Sequence, residues 1–219
     1  MVWAALCGVL AAGFSYFVGL ARWWLVIQLL FVPTLLLALS LKISPYWYLL
    51  LFLIFLAVYW NTFRTQVPFY LSSRKVWQAL ETLLPPAVPN QTFKFVDLGS
   101  GTGGVLTHLA AVRADGRFQG IEAAPLPFAL SWLRIFMSTY RDRCEVHWGS
   151  LWHCDLAQCD VVFAYLSPVP MQQLWEKAQR EMRPGSLFIS NTFAVPDHPP
   201  QRTLTVDDRH QSTLYIWRM

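Results

Sequence analysis

The sequence predicts a doubly wound α/β domain preceded by N-terminal transmembrane helices, and three observations predict it. The first is the distribution of charge. Charged residues make up 14% of the 219 and hydrophobic ones 55%, against about 25% charged in an ordinary soluble domain. The shortage lies at one end: up to Tyr70 the only charges are Arg22, Lys42 and Arg64, and no acid precedes Glu81. The second observation is the alternation, from residue 93 onward, of strand-like apolar runs with helix-length segments, the pattern of a sheet covered by helices on both faces. The third is the run Phe95-Val-Asp-Leu-Gly-Ser-Gly-Thr-Gly-Gly104, a short apolar strand entering a glycine cluster that opens the next helix. Folds of this class build their ligand-binding turn in that way.

The membrane segment, residues 1–63, contains three apolar stretches, Val2 to Ala21, Trp23 to Leu41 and Tyr46 to Phe63. Each is near the ~20 residues that cross a bilayer as a helix. Pro33 is expected to kink the second, and two spans with one stretch lying in the interface is the alternative. Three helices with almost no polar face exceed what a soluble core can cover. Trp23, Trp24, Trp47 and Trp60 stand near the stretch ends, where amphipathic rings settle at the membrane boundary. With three spans, Arg22 falls on the side of Arg64, Arg74 and Lys75, and Lys42 stands alone on the other. The positive-inside bias then puts the C-terminal domain in the cytoplasm, with a bacterial inner membrane as the expected location and the lipid bilayer as an expected partner. The first stretch lacks a basic start, which argues against a cleavable signal.

Residues 64–90 read as a juxtamembrane connector with an amphipathic helix, since Val76, Ala79, Leu80 and Leu83 recur at helical spacing. Arg74 and Lys75 are placed to meet anionic headgroups, and Pro85-Pro86-Ala-Val-Pro89-Asn90 marks the domain boundary. In the domain proper, residues 91–219, strands are expected at 93–98, 117–121, 144–148, 159–165 and 186–192. A strand pair closes the chain at 203–206 and 213–217, and an antiparallel last strand does not belong to an all-parallel dinucleotide fold. Residues 90–219 carry twelve Lys/Arg and twelve Asp/Glu, without the basic excess of a nucleic-acid binder, so no nucleic-acid partner is expected. Cys7, Cys144, Cys154 and Cys159 imply reduced thiols. His147, His153, Cys154 and Cys159 cluster but match no paired-ligand spacing, so no metal site is expected.

Gly99, Gly101 and Gly103 let main-chain N–H groups approach a ligand with no Cβ in the way. Gly99, Gly101 and Gly104 also satisfy the dinucleotide pattern G-x-G-x-x-G. Asp97 separates the two readings. A dinucleotide site carries an apolar residue there, because the incoming diphosphate is already anionic, whereas a carboxylate suits a cationic ligand. Glu122 closes the second strand, where an acid accepts hydrogen bonds from both ribose hydroxyls of either cofactor.

Asp97-Leu-Gly-Ser-Gly-Thr-Gly103 resembles motif I of the class I S-adenosylmethionine (AdoMet) methyltransferases, whose ligand carries a sulfonium and an ammonium. That resemblance implies a Rossmann-like methyltransferase sheet and AdoMet as cofactor, bound by Asp97, Gly99, Ser100, Gly101, Gly103 and Glu122. The junction Val67-Pro-Phe-Tyr-Leu-Ser-Ser73, the segment Gly149-Ser150-Leu151-Trp152, and Asp160-Val-Val-Phe-Ala-Tyr-Leu-Ser-Pro168 followed by Met171 occur in order. From residue 67 onward the chain is similar to the FAM173-type family of small membrane-associated protein-lysine methyltransferases. The resemblance implies that Ser150 and Leu151 enclose the adenine, with Trp152 stacking on it or covering the core. It also implies that Tyr165, Ser167 and Pro168 form the catalytic turn beside the sulfonium. Mitochondrial members of that family trimethylate single lysines of inner-membrane proteins, the ATP synthase c subunit and the adenine nucleotide translocase. The implied partner is therefore a membrane protein presenting a lysine. Lipid or quinone methylation is the substrate-level alternative, and a membrane-anchored nucleotide-binding module without turnover is the non-enzymatic one. Asp97 and the Tyr165 turn favour the enzyme.

Overall fold

A computed structural model describes residues 2–60 and 70–219, in two compact units, 1–53 and 54–219. The first unit holds α1 (Val2–Phe17), α2 (Trp23–Ser40) and most of α3 (Pro45–Val58). α1 and α2 pack at close range: a Cβ on Gly8 would stand 2.5 Å from the Leu29 carbonyl oxygen, the kind of approach that small residues permit between membrane helices. Tyr48 donates to the Ala38 carbonyl at 2.8 Å and ties α3 to α2. Neither α2 nor α3 buries a residue, and α2 runs unbroken through Pro33. Among the described residues Trp23–Ser40 is the one helix long and apolar enough to cross a membrane. The 14 residues of α3 extend about 21 Å, against a hydrocarbon core of about 30 Å. Residues 61–63 of the third stretch, Arg64 and the Val67-Pro68-Phe69 part of the junction lie outside the described residues.

The second unit is built on a seven-stranded sheet, β1 (Phe93–Leu98), β2 (Gly116–Glu122), β3 (Cys144–Trp148), β4 (Val161–Ala164), β5 (Leu187–Asn191), β6 (Arg202–Thr205) and β7 (Thr213–Arg218), in the order β3-β2-β1-β4-β5-β7-β6. β7 is antiparallel to both its neighbours and the other pairs are parallel. Each strand expected from the apolar runs is present, with ends shifted by at most two residues. Helices α4 (Arg74–Glu81), α5 (Gly104–Val112), α6 (Pro125–Phe136) and α7 (Met171–Glu181) flank the sheet.

Strand alternation divides the core into two layers. Phe93 and Phe95 point to one face with Phe118, Phe163, Leu106, Leu109, Val76 and Leu80. Val96 and Leu98 point to the other with Val162, Leu174, Trp175, Phe188 and Trp217. The amphipathic helix lies at Arg74–Glu81, capped by Ser73, whose hydroxyl accepts from the Val76 N–H. Val76 and Leu80 are fully buried, so packing decides which face of this short helix turns inward.

Candidate active site

The strand order reverses between β1 and β4, and in open α/β sheets a ligand enters the crevice at the carboxyl ends of such a strand pair. The register sets Asp97 opposite Phe163 and Leu98 opposite Ala164, so the glycine turn leaving β1 and Tyr165 leaving β4 flank that crevice. A narrow cleft is lined by Asp97, Gly99, Ser100, Thr102, Tyr165, Tyr70 and Trp77, among others. Two predicted clusters far apart in sequence thus share one site.

Gly99, Gly101 and Gly103 adopt φ of 84°, 55° and 71°, a left-handed region closed to most L-residues. Gly103 is also the N-cap of α5, and a Cβ there would stand 2.4 Å from Oγ of the fully buried Ser131 on α6. Gly103→Ala combines a left-handed backbone with a buried clash and is expected to cost about 1–3 kcal/mol; a urea midpoint equal to wild type would refute this. Gly120 on β2 supplies a further close approach that the motif does not announce. A Cβ there would stand 2.6 Å from Ser100 Oγ, so Gly120 makes room for the turn. Ser100 Oγ is buried without a hydrogen-bond partner in the described structure and is available to a ligand.

Of the two acids, Glu122 accepts from the Gly101 N–H through Oε2 and from the Ala124 N–H through Oε1, both at 2.8 Å, so it shapes the glycine turn. Burial raises its pKa, and the backbone donors at Ala124, Gly101 and Ala123 oppose that rise. Asp97 is 3% exposed. Burial pushes its carboxyl up to about 8, and the nearby Glu122 charge adds to the rise. Two buried acids that repel each other hold an unmet demand for positive charge. A sulfonium and an ammonium satisfy that demand and a diphosphate aggravates it, which decides between the two ligands that the glycines alone left open. The glycine turn at the cleft, the unpartnered Ser100 hydroxyl and the acid pair fit AdoMet.

The remaining predicted residues, Ser150, Leu151, Ser167 and Pro168, are not among those that line the cleft. Ser150 lies beyond β3, where the neighbouring Gly149 N–H donates to the Glu122 carbonyl at 2.9 Å. It caps a single turn of 3-10 helix, Leu151–His153. Leu151 and Trp152 are half-buried against the lower core layer. Ser167 is buried with an unpartnered Oγ, and Pro168 is exposed. Cys154 and Cys159 are buried free thiols, with Cys159 pushed up to about 12 by burial. Among the described residues no three His, Cys, Asp or Glu side chains are grouped to hold a metal.

Sequence reasoning missed Tyr70, Ser72, Trp77 and Phe193 as site residues. The Trp77 indole donates to Ser72 Oγ at 2.8 Å. Tyr70 stacks on Tyr165 with centroids 5.3 Å apart, and Phe193 packs against both rings. Tyr70 stands in the junction already noted for its resemblance, whereas nothing local marks Phe193.

The family model of the ANTKMT methyltransferase domain matches residues 97–202, from Asp97 to the first residue of β6. The adenine nucleotide translocase lysine N-methyltransferase of Mus musculus is 32% identical over 139 residues, which cover 63% of this chain and 58% of the mouse protein. This chain therefore spans less than two thirds of that relative. A protein-lysine N-methyltransferase of Saccharolobus islandicus (strain REY15A) is 22% identical over 152 residues, covering 69% of this chain and 92% of that protein. Among solved structures, an RNA methyltransferase from Salinibacter ruber in complex with S-adenosyl-L-homocysteine superposes with a TM-score of 0.60 at 24% identity, over 68% of this chain and 93% of that one. At that identity the likeness carries the fold and leaves the substrate open. Over residues 97–202 the chain is similar to the ANTKMT methyltransferase domain, and its sheet has the class I methyltransferase fold.

Proposed function

We propose that the protein methylates a lysine ε-amine of a membrane protein while tethered to the bilayer. The observation that carries this reading is the shared cleft. Tyr165 stands beside Asp97 and Gly99, so an amine resting against its ring lies next to the cofactor site. The lysine methyltransferase names of the two relatives support the substrate class.

AdoMet, when bound, supplies a methyl carbon on a sulfonium: an N–C bond forms to the amine lone pair as the S–C bond breaks, and that electron pair stays on sulfur. The side chains of this protein do the rest by position. Asp97 and Glu122 hold the cationic ligand, and the turn from Tyr165 to Pro168 orients the amine. Lysine has a reference pKa of about 10.4, and desolvation of the amine in the narrow cleft lowers it toward the neutral form that can attack. The proton goes to water.

The tether is the segment 1–63, joined through the connector 64–90 to the domain 91–219, with the domain on the cytoplasmic side of a bacterial inner membrane. The apolar helix α2 supports it. An apolar ridge on α6 supports it as well: Leu130, Trp132, Leu133 and Phe136 are exposed there, with Trp132 stacked on Phe136 at 5.3 Å. Membranes containing the protein, incubated with methyl-tritiated AdoMet and separated into protein and lipid extracts, test the reading. We expect label in protein, recovered as methyl-lysine after hydrolysis. Label confined to the lipid or quinone extract overturns the substrate class, and no label in either overturns catalysis.

A further inference from the structure

We propose that Tyr70, Tyr165 and Phe193 form a receptor for an alkylammonium group, which holds the target amine beside the cofactor site as it gains methyl groups. This rests on the lysine reading above and assigns Tyr70 and Phe193 as specificity-determining residues. The three rings are mutually packed, with centroids 5.3 Å apart for Tyr70–Tyr165, 5.9 Å for Tyr70–Phe193 and 6.4 Å for Tyr165–Phe193. Tyr70 and Tyr165 line the same cleft as Asp97. Aromatic faces attract an ammonium within about 6 Å of the ring centroid and prefer methylated ammonium to a strongly hydrated one.

Each ring comes from a different part of the chain and each is held in place. Tyr165 leaves the end of β4. Phe193 is pinned on both sides, since its N–H donates to the Asn191 carbonyl at 2.8 Å and its carbonyl accepts from Ser190 Oγ at 2.6 Å. Between them Thr192 adopts φ of 68°, a left-handed conformation that a β-branched residue takes only when its surroundings impose it. Tyr70 precedes Ser72, which accepts from the Trp77 indole, and Ser73, which donates to Asp208 at 2.7 Å. Hydrophobic sealing of the crevice alone requires neither the strained turn nor a Tyr70 ring left 36% exposed. An aromatic wall acts where charge appears. Positive charge develops on nitrogen as the N–C bond forms, and each added methyl makes the ammonium a better match for the rings. The amine sheds one proton to water before each further round, so no other reactant is needed.

Calorimetric titration of the detergent-solubilised full-length protein, saturated with S-adenosyl-L-homocysteine, tests the receptor. The probes are choline and its neutral isostere, in which carbon replaces nitrogen. We expect choline to bind about tenfold more tightly, the size of one partly desolvated cation–π contact. Tyr70→Phe keeps that preference, and Tyr70→Leu and Phe193→Leu, with unchanged thermal melts, each reduce it. Should one leucine variant fail to fold, the other decides. Equal binding of the two probes, or a preference untouched by the folded leucine variant, overturns the receptor. Label on protein lysine together with equal probe binding removes the receptor and leaves the lysine reading standing, whereas label only in lipid removes the lysine reading itself.

Discussion

Asp97→Asn is expected to yield a ligand-free protein more stable than wild type at alkaline pH, and an inactive enzyme. Asparagine keeps the volume of the side chain and removes the charge. In the folded wild type burial pushes the Asp97 carboxyl up to about 8, against an ordinary value of 3.8. Between those values the native state holds a proton that the unfolded state has released. Wild-type stability therefore falls as pH rises from about 4 to about 8, by at most about 1.4 kcal/mol per pH unit from this group. The asparagine variant loses that slope. Melting temperatures of both proteins across pH 5 to 9, on the order of one reading per unit, should diverge as pH increases; parallel curves would show that the carboxylate is not held at a cost.

Binding runs the other way. A cationic ligand needs Asp97 ionised, so below pH 8 AdoMet binding expels a proton, and affinity rises with pH until the carboxyl is already charged. Calorimetry at pH near 7 in two buffers of different ionisation enthalpy should register proton release for wild type and none for the variant. Asparagine should also weaken AdoMet binding by roughly 10- to 150-fold, the equivalent of about 1.5–3 kcal/mol for a hydrogen bond to a charged group.

Glu122→Gln is expected to be nearly as damaging as Glu122→Ala, although it is the conservative change. Both carboxylate oxygens already accept a backbone N–H, one from Gly101 and one from Ala124. A glutamine offers one acceptor and turns an NH2 toward the other donor, which leaves a buried N–H unpaired at a cost of about 1–3 kcal/mol. The loss falls on the glycine turn, so cofactor affinity should drop by about 5- to 150-fold in either variant. AdoMet affinity of the glutamine protein close to that of wild type would mean that the turn does not depend on this carboxylate.

The sequence by itself determined the local elements. The run from Phe93 to Leu98 is a strand because its residues are β-formers bounded by glycine, and Pro85 to Asn90 break the chain before it wherever the rest of the protein lies. Asp97, Gly99, Gly101, Gly103 and Glu122 could be read in advance because one turn and one adjacent strand end hold them, and short-range geometry leaves few alternatives. Long-range placement was decided by the tertiary structure. Only the β1–β4 pairing sets Tyr165 beside Asp97. The pKa of Asp97 depends on burial and on Glu122, and neither is encoded in the identity of an aspartate. Hydrophobicity outlined three apolar stretches, but helix length depends on where hydrogen bonding stops, and α3 within the third has 14 residues. The trio of Tyr70, Tyr165 and Phe193 joins residues from three separate segments, of which the one holding Phe193 carries no local mark. Their meeting is a property of the folded sheet, because what brings them together is strand order and two pinned turns, and sequence periodicity reports neither.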